Sequence, residues 1–339
     1  MIKNNPHRAI IYWLLIGCIL TAIMVIIGGV TRLTESGLSM TDWQLISGAI
    51  PPLNEVDWQE VFNEYKQFPE YQKVNKGMTL SEFKFIFFWE YFHRVFGRLI
   101  GLVFIIPFLF FWLRKKISKK LMPKIILIFF LGCFQAFLGW WMVKSGLVER
   151  PDVSHLRLAA HLISAFGLIS YIFWVMLGLY FQKPFPKHQK LNRWIKWILV
   201  LVILQILYGA FVAGLKAGLL CPSFPAMCNV SNLLAGNWTG NLTLGMPEYL
   251  VKLNLQNIHR LLAYVVYGII AILVIKSKEW KLSDEAKNGV NTLFLLVNAQ
   301  FVLGVFTLIY QVPLLLGVLH QFGALLLLLS IVYLMKVTK

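Results

Sequence analysis

Charge is the scarcest ingredient of this sequence. Only 14% of its 339 residues are Asp, Glu, Lys or Arg, while 58% are hydrophobic, and the mean hydropathy is +0.68. A water-soluble domain has too little interior to hide that much apolar surface. A soluble enzyme is therefore excluded, and the bilayer is the natural solvent. Acidic residues are scarcer than basic ones, 15 against 32, for a formal net charge of +17. Such a charge would suit nucleic acid if it formed one basic face. Here it is parcelled into short segments between apolar runs, so no nucleic-acid partner is expected. Cysteine is limited to 4 residues. Cys18 and Cys133 fall inside apolar runs and read as small apolar fillers. That leaves no cysteine cluster for a structural metal.

Runs of about 20 apolar residues are what the chain does have, each long enough to cross a hydrocarbon core of about 30 Å as a helix. Eight are expected, at 10–30, 84–113, 123–144, 154–181, 193–215, 251–275, 289–310 and 314–335. The first begins after only Lys3 and Arg8 and lacks a small-residue cleavage pattern, so it reads as a span and not as a removable signal. Three loops hold basic clusters: Arg114 to Lys124, Lys183 to Arg193, and Lys276 to Lys287. The long first loop carries Glu35, Asp42, Glu55, Asp57, Glu60, Glu64, Glu70 and Glu82. Basic loops stay inside. The expected location is a bacterial plasma membrane, multi-pass, with both termini cytoplasmic.

Gln135 and Gly139, Gln205 and Gly209, and Gln300 and Gly304 repeat one four-residue step, and a His-Arg pair recurs as His93-Arg94 and His259-Arg260. The expected fold is therefore an all-α integral membrane protein, its eight transmembrane helices forming two pseudo-repeated four-helix bundles. Residues 1–185 make one half and 186–339 the other.

Of 7 histidines, His7 and His188 lie in cytoplasmic segments and carry no hypothesis. His155 lies near an interface and reads as a boundary residue. His93, His161, His259 and His320 lie inside the second, fourth, sixth and eighth spans. At about 1.5 Å per residue they share a level roughly 10 Å from the outer face. Imidazole in hydrocarbon is costly and faces a bundle interior with a partner. Interhelical hydrogen bonding would explain a single histidine. One pair in each half, at equal depth, is instead how two facing helices hold a haem iron. Zinc or copper is disfavoured, because neither half adds cysteine or several carboxylates at ligand spacing.

The halves differ at one place. Glu90 stands three residues before His93, and Gln256 stands three before His259. Glu90 is either a boundary carboxylate paired with Arg94 or Arg98, or a group aimed at a bound ligand that takes protons or stabilises positive charge. Arg94, Arg157 and Arg260 are candidates for haem propionates, with simple snorkelling as the alternative. Cys221 and Cys228 share an outer loop where a disulfide is favoured, either as a brace or as a redox pair.

On these residues the chain resembles the haem A synthase family over nearly its whole length. Gly28-Gly29-Val30-Thr31-Arg32 through Gly37-Leu38-Ser39-Met40, then Trp43 and Pro51-Pro52, are similar to that family's first-loop signature. Trp89-Glu90-Tyr91-Phe92-His93-Arg94, Gly139-Trp140, Ser145-Gly146, Arg157 to His161, Gly209 to Gly218, Val312-Pro313 and His320-Gln321 continue it. The long first loop, which lacks cysteine, resembles the proteobacterial and mitochondrial branch, whereas Lys216 stands where an acidic residue is familiar. The resemblance implies an oxidoreductase that converts the C8 methyl of haem O to a formyl by successive hydroxylations, for supply of haem A to terminal oxidases. It also implies that His259 and His320 hold a resident haem B, that His93 and His161 face the substrate haem, and that Glu90 is catalytic. Implied partners are haem O, haem A and membrane lipid, then haem O synthase, an unidentified electron acceptor and oxidase assembly factors. Two other functions compete: a dihaem electron carrier of the cytochrome b561 type, and a haem exporter or chaperone.

Overall fold

The structure is a computed structural model and describes residues 5–41, 50–148, 151–228 and 247–339. Asp42 of the acidic first loop and Trp43 of the first-loop signature lie outside the described residues. All regular structure among the described residues is helical. In chain order it comprises α1 (Arg8–Leu33), α2 (Glu55–Tyr65), α3 (Pro69–Lys73), α4 (Leu80–Leu113), α5 (Met122–Lys144) and α6 (His155–Tyr180). Then come α7 (Gln189–Gly214), a 3-10 turn (Ala217–Leu219), α8 (Glu248–Ser277), α9 (Asp284–Ile309) and α10 (Leu314–Val337).

Eight of these helices are long and apolar enough to span a membrane. They coincide with the eight expected runs to within a turn or so. The chain is a multi-pass membrane protein. Large apolar side chains such as Phe85, Leu102, Ile106, Phe130, Trp197 and Leu295 are exposed on their outer faces, which lipid tolerates and water would not. The helix ends follow local rules. α4 begins a turn earlier than hydropathy suggests because Thr79 and Glu82 form a reciprocal capping box. Ser283 caps α9 ahead of Asp284 and Glu285, which suit the positive end of the helix dipole.

Two compact units result, Ile19–Ala165 and Met1–Cys18 with Phe166–Lys339. α1 and α6 each contribute to both, so this division by packing differs from a division of the sequence at 185. In the larger unit α7, α8, α9 and α10 pack as a closed ring, each against the next and α10 against α7. The tight α9–α10 turn carries Gln311 and Val312 at φ 56° and 58°. That left-handed backbone is costly for valine, and the bond from Val312 N to Thr307 O at 2.7 Å holds it.

In the smaller unit the long first loop folds where the sequence pattern predicts only an acidic segment. Asn54 caps α2, and α2 packs on the start of α4. Phe62, Tyr65, Phe83, Ile86 and Phe87 form an aromatic cluster there, with Trp58 and Tyr71 packed against it. Phe62 stacks on Phe83 at 4.9 Å between ring centres.

Candidate functional site

Each of the four histidines on long apolar helices meets a glycine on the long apolar helix before its own. A methyl placed on Gly28 of α1 would stand 3.1 Å from His93 Cε1, and one on Gly139 of α5 3.2 Å from His161 Cε1. Gly209 of α7 would bring it 3.1 Å from His259 Cε1, and Gly304 of α9 2.9 Å from His320 Cε1. These glycines are required by close approach: any side chain would push the imidazole away.

Three of the histidines also meet a glutamine one turn before that glycine. Gln135 Nε2 donates to the His161 carbonyl at 2.9 Å and lies 3.1 Å from its Nδ1. Gln205 Nε2 donates to the His259 carbonyl at 3.1 Å and lies 3.4 Å from its Nε2. Gln300 Nε2 donates to the His320 carbonyl at 2.9 Å and lies 3.2 Å from its Nδ1. The Gln-Gly repeat is visible in the sequence, but only the fold shows that it is aimed at the histidines.

The centres of the His259 and His320 rings are 6.4 Å apart, with planes crossed at 85°. Metal–imidazole bonds of about 2 Å put two rings that share one metal roughly 6 Å apart, centre to centre. The pair therefore fits one metal between them. Among the described residues no three His, Cys, Asp or Glu side chains converge, so a bare zinc or copper ion would lack ligands, whereas a porphyrin brings four of its own. His93 Nδ1, His259 Nδ1, Gln205 Oε1 and Gln300 Oε1 are buried without a hydrogen-bond partner. A ligating imidazole needs such an acceptor for its second N–H. The donor set, the ring spacing and these waiting groups all fit haem.

Glu90 is 3% exposed and accepts three hydrogen bonds. Arg94 Nη2 reaches Oε1 at 2.5 Å, and Ser39 Oγ and Met40 N reach Oε2 at 2.8 and 2.7 Å. Arg94 also donates to the Met40 carbonyl at 2.9 Å. The Leu38-Ser39-Met40 string is thereby tied to α4, and Leu38 in turn fills the space over Gly146, where a methyl would come within 2.7 Å. Ser39 and Met40 were not legible as partners of Glu90.

In the other unit Gln256 Nε2 donates to the Gly218 and Cys221 carbonyls, both at 3.3 Å. Arg260 Nη2 donates to the carbonyls of Ser223 and Ala226 at 2.8 Å. That loop is closed by a Cys221–Cys228 disulfide with Cα atoms 6.0 Å apart. Arg157 donates to the Trp141 carbonyl at 2.7 Å and lies over the Trp141 ring. The three arginines expected at propionates thus bond to backbone, and Arg94 to Glu90 as well.

Comparison with known proteins decides the family. Residues 11–332 match the family described as cytochrome oxidase assembly protein. A heme A synthase of Flavobacterium psychrophilum is 48% identical, with 98% of each chain covered. The chain belongs to the haem A synthase family. A second member, from Flavobacterium johnsoniae, is 46% identical over 97% of this chain and 98% of its own. One from Nitrosospira multiformis is 42% identical over 96% and 92%. Family membership bears on the two histidine pairs directly, because a haem-modifying protein has a use for paired imidazoles beyond interhelical bonding.

Proposed function

We propose that this chain is a haem A synthase of the bacterial plasma membrane, oxidising the C8 methyl of haem O to a formyl group. The observation that carries this reading is the contrast between two histidine pairs, one beside a buried carboxylate and the other beside an amide, in a chain so similar to named heme A synthases. His93 and His161 hold the substrate haem, with Glu90 as the catalytic carboxylate. His259 and His320 hold a resident haem B, which when bound supplies one-electron redox chemistry. Two successive hydroxylations give a hydrated aldehyde that loses water, so methyl to formyl has the net balance of one water taken up, four protons released and four electrons passed to an acceptor. Glu90 stabilises positive charge as it develops and takes up a proton, with Ser39 Oγ–H and Met40 N–H holding its second oxygen in place. Arg94, Arg157 and Arg260 are the candidate partners of the haem propionates. The halves 1–185 and 186–339 are two copies of one four-helix unit, with both termini cytoplasmic and both haem sites toward the outer face. Haem O synthase and oxidase assembly factors are the neighbouring partners.

Pigment chromatography of cells that co-express haem O synthase tests the reading. Haem A that depends on this chain supports it, whereas haem O alone with the protein present points to an electron carrier or a haem chaperone. A second reading of Glu90 rests on its three partners: it latches the first outer segment, much as Gln256 holds the Cys221–Cys228 loop. A latch would make Glu90→Gln lose haem and protease resistance, while a catalytic group would leave both and stop the chemistry.

A further inference from the structure

The fourth histidine breaks the pattern of the other three. Its glycine, Gly28, is in place, but the residue one turn earlier is Met24 where the others have glutamine. Met24 occupies the same ground: its methyl carbon would stand 3.3 Å from a Cβ on Gly97, one turn after His93. In the same way Gln300 Oε1 lies against Gly323, just after His320, and Gln135 Oε1 accepts from Ser164, just after His161, at 2.5 Å. A thioether donates nothing and accepts weakly. His93 Nδ1 is buried without a hydrogen-bond partner, as is His259 Nδ1, but beside His259 the Gln205 amide stands 3.4 Å from the other ring nitrogen.

We propose that Gln135, Gln205 and Gln300 are positioning residues for three of the four haem-ligating imidazoles, and that Met24, in the fourth place, leaves His93 as the ligand able to leave its iron. This rests on the haem reading above. A ligand histidine is oriented, and made more basic, by the group that accepts its second N–H. A glutamine amide can serve by turning its oxygen to the ring; the buried oxygens of Gln205 and Gln300 have no other donor, while that of Gln135 would be shared with or taken from Ser164 Oγ. Both ligands of the His259–His320 pair are then held, and that site stays closed, as suits electron transfer. The His93–His161 pair holds only one. The position that opens lies on the helix of Glu90, where chemistry is proposed.

The test uses the full-length protein purified with its haems from cells that make haem O, with carbon monoxide as the probe of an open ferrous site. Wild type should bind carbon monoxide at one haem only. Met24→Gln should weaken that binding by about tenfold, the worth of one hydrogen bond, and Gln135→Met should strengthen it. Gln205→Leu and Gln300→Leu should keep the low-spin spectrum but raise the midpoint potential of that haem and begin to admit carbon monoxide. If Met24→Gln does not accumulate, Gln135→Met decides. Unchanged carbon monoxide binding in Met24→Gln or Gln135→Met, or unchanged potentials in both leucine variants, would overturn the proposal. Failure of the haem reading is separately visible: His259→Ala and His320→Ala would keep the low-spin spectrum.

Discussion

Glu90 and Gln256 have nearly the same shape and the same place on their helices, yet one accepts from Arg94, Ser39 and Met40 while the other donates to two carbonyls. Glu90→Gln therefore removes charge with little change of volume. Haem A formation should fall by roughly 10² or more, the usual share of one general base or electrostatic group, while haem O or a hydroxylated intermediate accumulates on protein that still binds haem. Undiminished haem A per enzyme, by chromatography of extracted pigments, would refute the catalytic role. The four histidines and Glu90 were legible in the sequence because polar groups in a membrane are costly and need a reason to be there. Ser39 and Met40 were not. A hydroxyl and a backbone N–H have no sequence signature as partners of a carboxylate 50 residues away.

The spanning helices were legible because length and hydropathy set them, whereas α2 and α3 were not, because short helices held by tertiary aromatic packing leave only a weak local pattern. That aromatic cap contains a buried carboxyl of its own. Glu70 accepts from Tyr65 Oη at 3.0 Å, and Asn75 Nδ2 donates to the same hydroxyl at 2.7 Å. Burial, more than any other influence, pushes Glu70 up from 4.5 to about 8. A carboxyl whose folded value is raised binds its proton more tightly when folded, so its stabilising contribution is full below 4.5 and is lost as pH rises through about 8. Amide hydrogen exchange in residues 55–75, corrected for the intrinsic rate, should show the cap loosening across that window. Glu70→Gln should flatten the dependence; if the wild type shows no such loosening, Glu70 is not the group. The glycines are a second test at this scale. Gly304→Ala should displace the His320 ring and lower haem retention, while Gly268→Ala, with open space around it, should be neutral or add up to about 1 kcal/mol of helix stability. Equal haem content in both would remove the close-packing role of Gly304.

For the whole molecule, the proposed orientation rests on charge and not on packing. Basic side chains hold a loop on the cytoplasmic side while acidic ones have little influence, and the loops after α4, α6 and α8 carry Arg114 to Lys124, Lys183 to Arg193 and Lys276 to Lys287. In that orientation the first loop, with its carboxylates and its aromatic cap, would lie outside, as would the Cys221–Cys228 loop, where an oxidising compartment keeps a disulfide closed. If α4, α6, α8 and α10 all enter from that side, as proposed, each histidine pair would lie toward the outer end of its own helices, and a dihaem carrier with sites at opposite faces would be disfavoured. Reporter fusions near residues 60 and 235 should be active outside, and fusions near 118, 187 and 280 inside. A cytoplasmic residue 60 would invert the molecule, place the haem sites at the inner face and put the Cys221–Cys228 pair in a reducing compartment that does not keep a disulfide closed.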